Sequence, residues 1–210
     1  MKLNLKKGYI MSRTRLISAL VGIIILLVGA AIYVYNDRPA ENFEQVSTSA
    51  LIGGDFALTD HNGKAVTQDD YKGVKKLVFF GFTNCPAVCP TELYNIATTL
   101  DELGAENAKK IQVLFISIDP EQDTPEMMKE YVEAFHDDFI GLTGTVEQVA
   151  KAAKAFRVYY AKIPEEDSEI GYTMDHSAYS YLMDENNQYL THLPPNSEIE
   201  DMVVKIREFL

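Results

Sequence analysis

The sequence predicts an α/β domain in which helices flank a central mixed sheet, with a hairpin at its start and a transmembrane helix before it. Three observations lead to this prediction. The continuous apolar runs 76–82 and 111–118 are typical of buried central strands. Segments with helical spacing alternate with strands along the chain. An uncharged apolar stretch precedes the whole arrangement.

That stretch, Leu16–Tyr35, is long enough to span about 30 Å of hydrocarbon as a helix. Lys and Arg residues precede it and acids do not, so the positive-inside rule places residues 36–210 outside the cytoplasm. We expect a single-pass anchor in a bacterial cytoplasmic membrane, with the soluble domain on the periplasmic or extracellular side. A cleaved signal peptide, with Ala30 and Ala31 near its cleavage site, is the alternative.

The predicted organisation is a basic cytoplasmic N-terminus over 1–15, the anchor over 16–35, a polar tether over 36–52 and the folded domain over 53–210. The formal net charge of the chain is −12. Because an acidic surface repels nucleic acid and anionic lipid, we expect no nucleic-acid partner. The membrane contact is expected through the apolar helix alone.

The strands of the folded domain begin with a hairpin. Phe56–Leu58 and Val66 flank an Asn62-Gly63 turn. After the two buried strands, the pattern predicts a short edge strand and two further strands, over 157–161, 179–183 and 189–192.

The helices are predicted from spacing and from capping signals. They cover 90–103, a segment begun by Asp123-Thr-Pro125, a segment capped by Thr145 with Gln148, and a last one capped by Ser197 with Glu200. The resulting order of strands and helices is compatible with a thioredoxin-like fold.

The chain has two cysteines, Cys85 and Cys89, at the carboxyl end of a buried strand and at the start of a helix. Ligands bind at that end of open α/β sheets, and a helix N-terminus favours the thiolate. On a helical turn the spacing would put both thiols on one face, with Cα atoms about 6 Å apart. They could chelate a metal or close a disulfide, although dithiol oxidoreductases use the shorter Cys-x-x-Cys.

Two thiolates make an incomplete site for a soft ion such as Cu(I) or for zinc. The further candidate ligands are the four histidines. We expect His61 at solvent in the hairpin turn, and structural roles for His136 and His192. His176 lies just before the strand at 179–183, in a loop that faces the cysteine loop in a thioredoxin-like sheet, where it could complete a Cys2His site.

Several motifs in order resemble the Sco/SenC family of copper-binding assembly proteins. They are Val78–Leu93 with its two cysteines, Ser117–Pro125, Leu142-Thr-Gly144 and Asp175-His176-Ser177, and the likeness covers about 50–210. The resemblance implies a thioredoxin-like fold and copper, Cu(I) or Cu(II), bound by Cys85, Cys89 and His176. Family members often carry an acidic residue between the cysteines, where this chain has Ala87.

The resemblance also implies a role in maturing the CuA centre of cytochrome c oxidase. The partners would then be the CuA subunit or another copper protein, and a thiol reductant. The first hypothesis is a copper chaperone without turnover. The alternative is a thiol-disulfide oxidoreductase that uses a Cys85–Cys89 disulfide to keep the CuA cysteines reduced. Asp119 and Asp123 match the family motif too, and we expect them to end a strand and to cap a helix, with a role near copper as the alternative.

Overall fold

The computed structural model describes residues 17, 23, 26–29, 52–166, 168 and 170–210. The chain divides into two units, Met1–Glu44 and Gln45–Leu210. The described residues of the first unit are helical. The predicted anchor and tether fall almost entirely outside the described residues. Within the part of the chain that is described, no helix has both the length and the hydropathy needed to cross a membrane.

The second unit alternates strands and helices, as the sequence predicts. The strands are β1 (Ala57–Asp60), β2 (Ala65–Thr67), β3 (Lys75–Gly81), β4 (Ile111–Ser117), β5 (Ile140–Thr143), β6 (Tyr160–Pro164), β7 (Tyr172–His176), β8 (Ser180–Met183) and β9 (Tyr189–Leu193). The helices are a 3-10 turn at Gln68–Tyr71 and α1 (Val88–Leu103), α2 (Ala105–Ala108), α3 (Pro125–Glu133), α4 (Val146–Ala155) and α5 (Ile199–Arg207).

Seven strands form one mixed sheet in the order β2-β1-β5-β4-β3-β8-β9. Strands β3, β4 and β5 are parallel. Antiparallel pairs extend the sheet at both edges, with β1 and β2 beside β5 and with β8 and β9 beside β3. Almost every residue of β3 and β4 is buried, so both faces of the sheet centre are covered. This is the predicted thioredoxin-like arrangement. It brings the carboxyl end of β3, the start of α1 and the start of β8 together.

The capping predictions have mixed outcomes. Thr145 and Gln148 form the predicted capping box of α4. Helix α3 begins at Pro125, but its cap is Thr124, whose side chain accepts a hydrogen bond from the Met127 N–H, so the prediction that Asp123 caps it is wrong. Helix α5 is preceded by Glu198 without a side-chain cap.

The prediction for Ser197 is also wrong, because its hydroxyl donates to the Pro194 carbonyl instead of capping α5. The predicted edge strand at 157–161 is displaced. Arg157 adopts a left-handed backbone conformation, with φ 57°, and the strand β6 begins three residues later.

β6 pairs with β7 in a separate two-stranded sheet, with Tyr160 opposite His176. His176 is therefore the last residue of a strand and not part of a long loop. The sequence pattern did not predict this hairpin, which we call the β6–β7 hairpin and which carries the candidate histidine.

Candidate metal centre

The two cysteines lie on either side of the start of α1. Cys85 precedes the helix and its backbone N–H donates to the Phe82 carbonyl at 3.3 Å. Cys89 is the second residue of the helix, after the capping position at Ala87. The expectation that both cysteines share one helical turn is therefore wrong. They still meet, because the Cys89 N–H donates to the Cys85 sulfur at 3.3 Å.

A glycine makes room for the buried thiol. A Cβ atom at Gly81 would lie 2.7 Å from the Cys89 sulfur and 2.7 Å from a ring carbon of Phe115. Contacts that short are not tolerated, so only glycine lets α1 approach the end of β3 this closely. Cys89 is fully buried there, whereas Cys85 is partly exposed.

The two thiols differ in acidity. The hydrogen bond from the Cys89 thiol lowers the pKa of Cys85 to about 4, against the opposing effect of burial, with further help from backbone N–H groups. The same hydrogen bond and burial raise the pKa of Cys89 well above its usual range. At neutral pH the pair is thus one accessible thiolate and one buried thiol, both uncrosslinked.

His176 faces this pair. Its Nε2 atom lies 3.8 Å from the Cys89 sulfur, and its Nδ1 atom lies 3.2 Å from the Ser177 carbonyl oxygen. Because a carbonyl can only accept, the Nδ1 atom carries the ring proton. The Nε2 lone pair is left facing the thiols. The ring sits beside Phe79 and edge-on to Phe82.

The other histidines are used elsewhere. His61 is not simply at solvent as expected, because its Nδ1 atom accepts the Gly141 N–H at 3.1 Å. His136 accepts the Asp138 N–H and stacks on a phenylalanine. The exposed His192 contacts Tyr179 and Tyr189. His176 is the one histidine shown in contact with a cysteine in the described structure.

Asp123 is hydrogen-bonded to the loop that carries the cysteines. It is 1% exposed and accepts hydrogen bonds from the hydroxyls of Thr83 and Ser117, each at 2.6 Å, and from the Thr83 N–H. Burial raises the pKa of its carboxyl group. It joins the loop after β3 to the end of β4, a role that no sequence pattern predicts.

Asp119 holds the β6–β7 hairpin. This carboxylate, 2% exposed, accepts the Tyr172 hydroxyl at 2.9 and 3.1 Å. Lys162 of the same hairpin lies 2.8 Å from Glu121 and 4.1 Å above the Tyr172 ring. Through these contacts, Asp119 and Glu121 connect the segment after β4 to Lys162 and Tyr172 of the hairpin. The alternation of Tyr172, Met174 and His176 was the sequence signal that could have revealed the strand.

A third buried contact fixes α1 against β8. Glu92, one turn along the helix from Cys89, is 2% exposed and accepts the Ser180 hydroxyl at 2.8 Å. Burial raises the pKa of Glu92. Ser180 opens β8 just after the His176 segment, so this contact links the cysteine helix to the histidine side of the site.

An open cleft of about 240 Å³ exposes Cys85 to solvent. It is lined by Phe82, Cys85, Pro86, Ala87, Val88, Thr173, Met174, Asp175, His176 and Ala178. Among the described residues, no group of three His, Cys, Asp or Glu side chains has the spacing needed to hold a metal ion. The arrangement is a buried thiol, a thiolate and an oriented imidazole at the edge of an open cleft.

These features define a thioredoxin-like protein with a dithiol–histidine site at the carboxyl end of its central strands. The chain belongs to the SCO1/SenC family, whose family model matches residues 44–210. It is 42% identical over 158 residues to an SCO2-like protein of Rickettsia conorii, covering 74% of this chain and 76% of that protein.

Solved structures agree with the fold. The copper-bound structure of ScoI from Arabidopsis thaliana superimposes with a TM-score of 0.71 at 39% identity, covering 75% of this chain and 96% of that one. Copper-bound ScoI from Bradyrhizobium japonicum superimposes with a TM-score of 0.68 at 43% identity, covering 76% and 99%.

Proposed function

We propose that this chain is a membrane-anchored copper chaperone that binds one copper ion through Cys85, Cys89 and His176 and assists assembly of the CuA centre of cytochrome c oxidase. The observation that carries the proposal is the convergence of the two sulfurs with the Nε2 lone pair of His176. The copper bound by the Arabidopsis and Bradyrhizobium relatives supports it.

The donor set suits a soft ion. Thiolates select Cu(I), and a neutral imidazole adds no charge, so the Cu(I) complex carries a net charge of −1. A trigonal ion with bonds of about 2.3 Å to sulfur and about 2.0 Å to nitrogen needs roughly 3.7 Å between those two donors. The 3.8 Å between Cys89 and His176 is compatible with this spacing. Cu(II) would require an added oxygen donor from the cleft.

Metal binding must also displace the proton of Cys89, whose pKa is raised. A cation between the two sulfurs replaces the hydrogen bond that they share and stabilises both thiolates. The Ser177 carbonyl keeps the His176 tautomer correct for ligation before the metal arrives. Ala87 contributes no charge of its own next to the metal.

Copper stoichiometry of the full-length chain tests this function. We expect one copper per reduced chain and none after oxidation to the Cys85–Cys89 disulfide. Cys85→Ser and Cys89→Ser should each abolish tight binding, because a hydroxyl is a harder and neutral donor. His192→Ala, which changes an exposed ring, should bind like the parent. Full stoichiometry in the double Ser variant would refute the proposed site.

One observation is compatible with the alternative function. A low-pKa thiolate beside a second thiol is also the arrangement of a thiol-disulfide oxidoreductase. His176→Ala separates the two functions, since it keeps the dithiol and removes a copper ligand. The chaperone proposal expects this variant to lose CuA assembly in cells. If it instead supports assembly and the protein reduces disulfides, the oxidoreductase function replaces the chaperone.

The anchor over 16–35 and the external position of 36–210 are part of the proposal. In that place the domain would meet the CuA subunit, and a thiol reductant would keep its cysteines reduced. Protease added to spheroplasts should digest the domain and leave the N-terminus protected. Protection of the whole chain would overturn the topology, and release of protein trimmed near Ala30 would identify a signal peptide.

A further inference from the structure

The cleft beside Cys85 contains a sulfur atom that the proposed three-donor site does not use. Met174 is 8% exposed and lines this cleft together with Cys85 and His176. It belongs to β7, in the middle of the strand, opposite Lys162 of β6. Met174 belongs to the buried hydrophobic cluster of the domain, at the point where that cluster borders the open cleft.

Strand geometry sets the direction of this side chain. Alternate residues of a strand point to the same side, so Tyr172, Met174 and His176 share one face of β7. Both neighbours of Met174 on that face have defined contacts. The Tyr172 hydroxyl is bonded to Asp119, and the His176 Nε2 atom faces Cys89. The Met174 side chain therefore shares a face of β7 with these two side chains, and it borders the cleft that Cys85 also lines.

A thioether in this position has a specific chemistry. It is a soft and neutral donor that selects Cu(I), and trigonal copper sites accept a long, weak axial methionine as an additional ligand. We propose that Met174 supplies a fourth, weak sulfur donor to copper held by Cys85, Cys89 and His176. The inference rests on the proposed function. A neutral donor leaves the net charge of the complex unchanged and stabilises Cu(I) relative to Cu(II).

Met174→Leu in the full-length chain tests the proposal, because leucine nearly conserves the volume and removes the donor atom. We expect Cu(I) affinity, measured by competition with a Cu(I)-specific chelator, to fall about tenfold while Cu(II) affinity is kept. Tenfold corresponds to about 59 mV, so the Cu(II)/Cu(I) reduction potential should fall by that amount. The Cu K-edge absorption spectrum should lose a long copper–sulfur contribution.

Met183→Leu is the matched control. Met183 is also a buried strand methionine, but it pairs with Lys76 at the end of β3 remote from Gly81 and the cysteines. It should keep the parent potential. An unchanged potential in Met174→Leu, or equal losses for both oxidation states, would overturn the fourth donor. Copper binding that survives loss of both cysteines would instead overturn the proposed function.

Discussion

The Tyr172 hydroxyl donates a hydrogen bond to the buried carboxylate of Asp119 at 2.9 Å, and this contact fixes the strand that ends at His176. Asp119 follows β4 in the main sheet, whereas Tyr172 belongs to the separate two-stranded sheet. The position of the candidate ligand therefore depends on a contact four residues away from it. Burial raises the pKa of Asp119, so its carboxylate depends on this donor when it is ionised.

Tyr172→Phe should loosen the hairpin without touching a proposed ligand. Removing the donor leaves a buried acceptor unsatisfied, at a cost of about 1–3 kcal/mol in the free energy of unfolding. We expect about tenfold weaker Cu(II) binding and a weaker thiolate-to-Cu(II) absorption band, while Cu(I) binding through the cysteines persists. Tyr159→Phe, at a 58% exposed position, is the control. Equal copper spectra in the two variants would contradict the positioning role.

His176→Ala should affect the two oxidation states differently. Two thiolates still hold some Cu(I), but without imidazole they tend to reduce Cu(II), so the thiolate-to-Cu(II) absorption should disappear. Visible titration with Cu(II) and chelator competition for Cu(I) measure the two effects. His136→Ala is the control, because His136 accepts a backbone N–H from Asp138. If His136→Ala loses the absorption and His176→Ala keeps it, the wrong histidine has been chosen.

Alkylation of Cys85 should depend little on pH. Its pKa, lowered to about 4 by the Cys89 hydrogen bond, keeps it ionised from pH 8 down to pH 5. An ordinary thiol loses about tenfold in thiolate per pH unit over that range, since its pKa is near 8.5. Iodoacetamide labelling followed by peptide mass analysis measures the rate at Cys85.

Cys89→Ala supplies the control for this experiment, because it removes the thiol that stabilises the thiolate. In that variant the labelling rate should fall steeply as the pH is lowered. A steep dependence in the parent protein would show that the hydrogen bond between the two sulfurs does not set the acidity.

Glu92→Gln should change how stability depends on pH. Burial raises the folded-state pKa of Glu92 above its ordinary value of 4.5. Between the two pKa values the folded state binds a proton that the unfolded state has released. The contribution of Glu92 to stability is therefore fully present below the unfolded-state pKa and is lost as the pH rises through the raised folded-state pKa. Thermal unfolding between pH 4 and pH 8 should show this loss in the parent and not in Glu92→Gln. The exposed Glu130→Gln should behave like the parent.

The sequence predicted the sheet and the cysteine loop because their signals are local. Apolar runs gave β3 and β4, and the Thr145–Gln148 pair gave the start of α4. The β6–β7 hairpin was missed because Met174 is the one buried residue of its two strands, which carry no continuous apolar run and pair outside the main sheet. The approach of His176 to Cys89 followed from fold resemblance and not from any local pattern.

Long-range polar contacts were the least predictable part of the site. Asp123 has the sequence position of a helix cap, yet its carboxylate turns inward to Thr83, 40 residues away. Asp119 and Tyr172 are 53 residues apart, and nothing in the sequence pairs them. Such contacts depend on where the packed strands end in the folded domain. Neither composition nor residue spacing specifies these positions.

The space that Gly81 leaves for Cys89 has a consequence for reading genetic variation in this protein. Glycine has no donor atom and no charge, so a substitution at Gly81 would be expected to be neutral if only the metal ligands mattered. Substitution by alanine, the smallest change available, would place a methyl group 2.7 Å from the buried sulfur. We therefore expect copper binding to fail in such a variant, although the three proposed donors are all present. In a mutational scan, Gly81 should group with the cysteines in its intolerance.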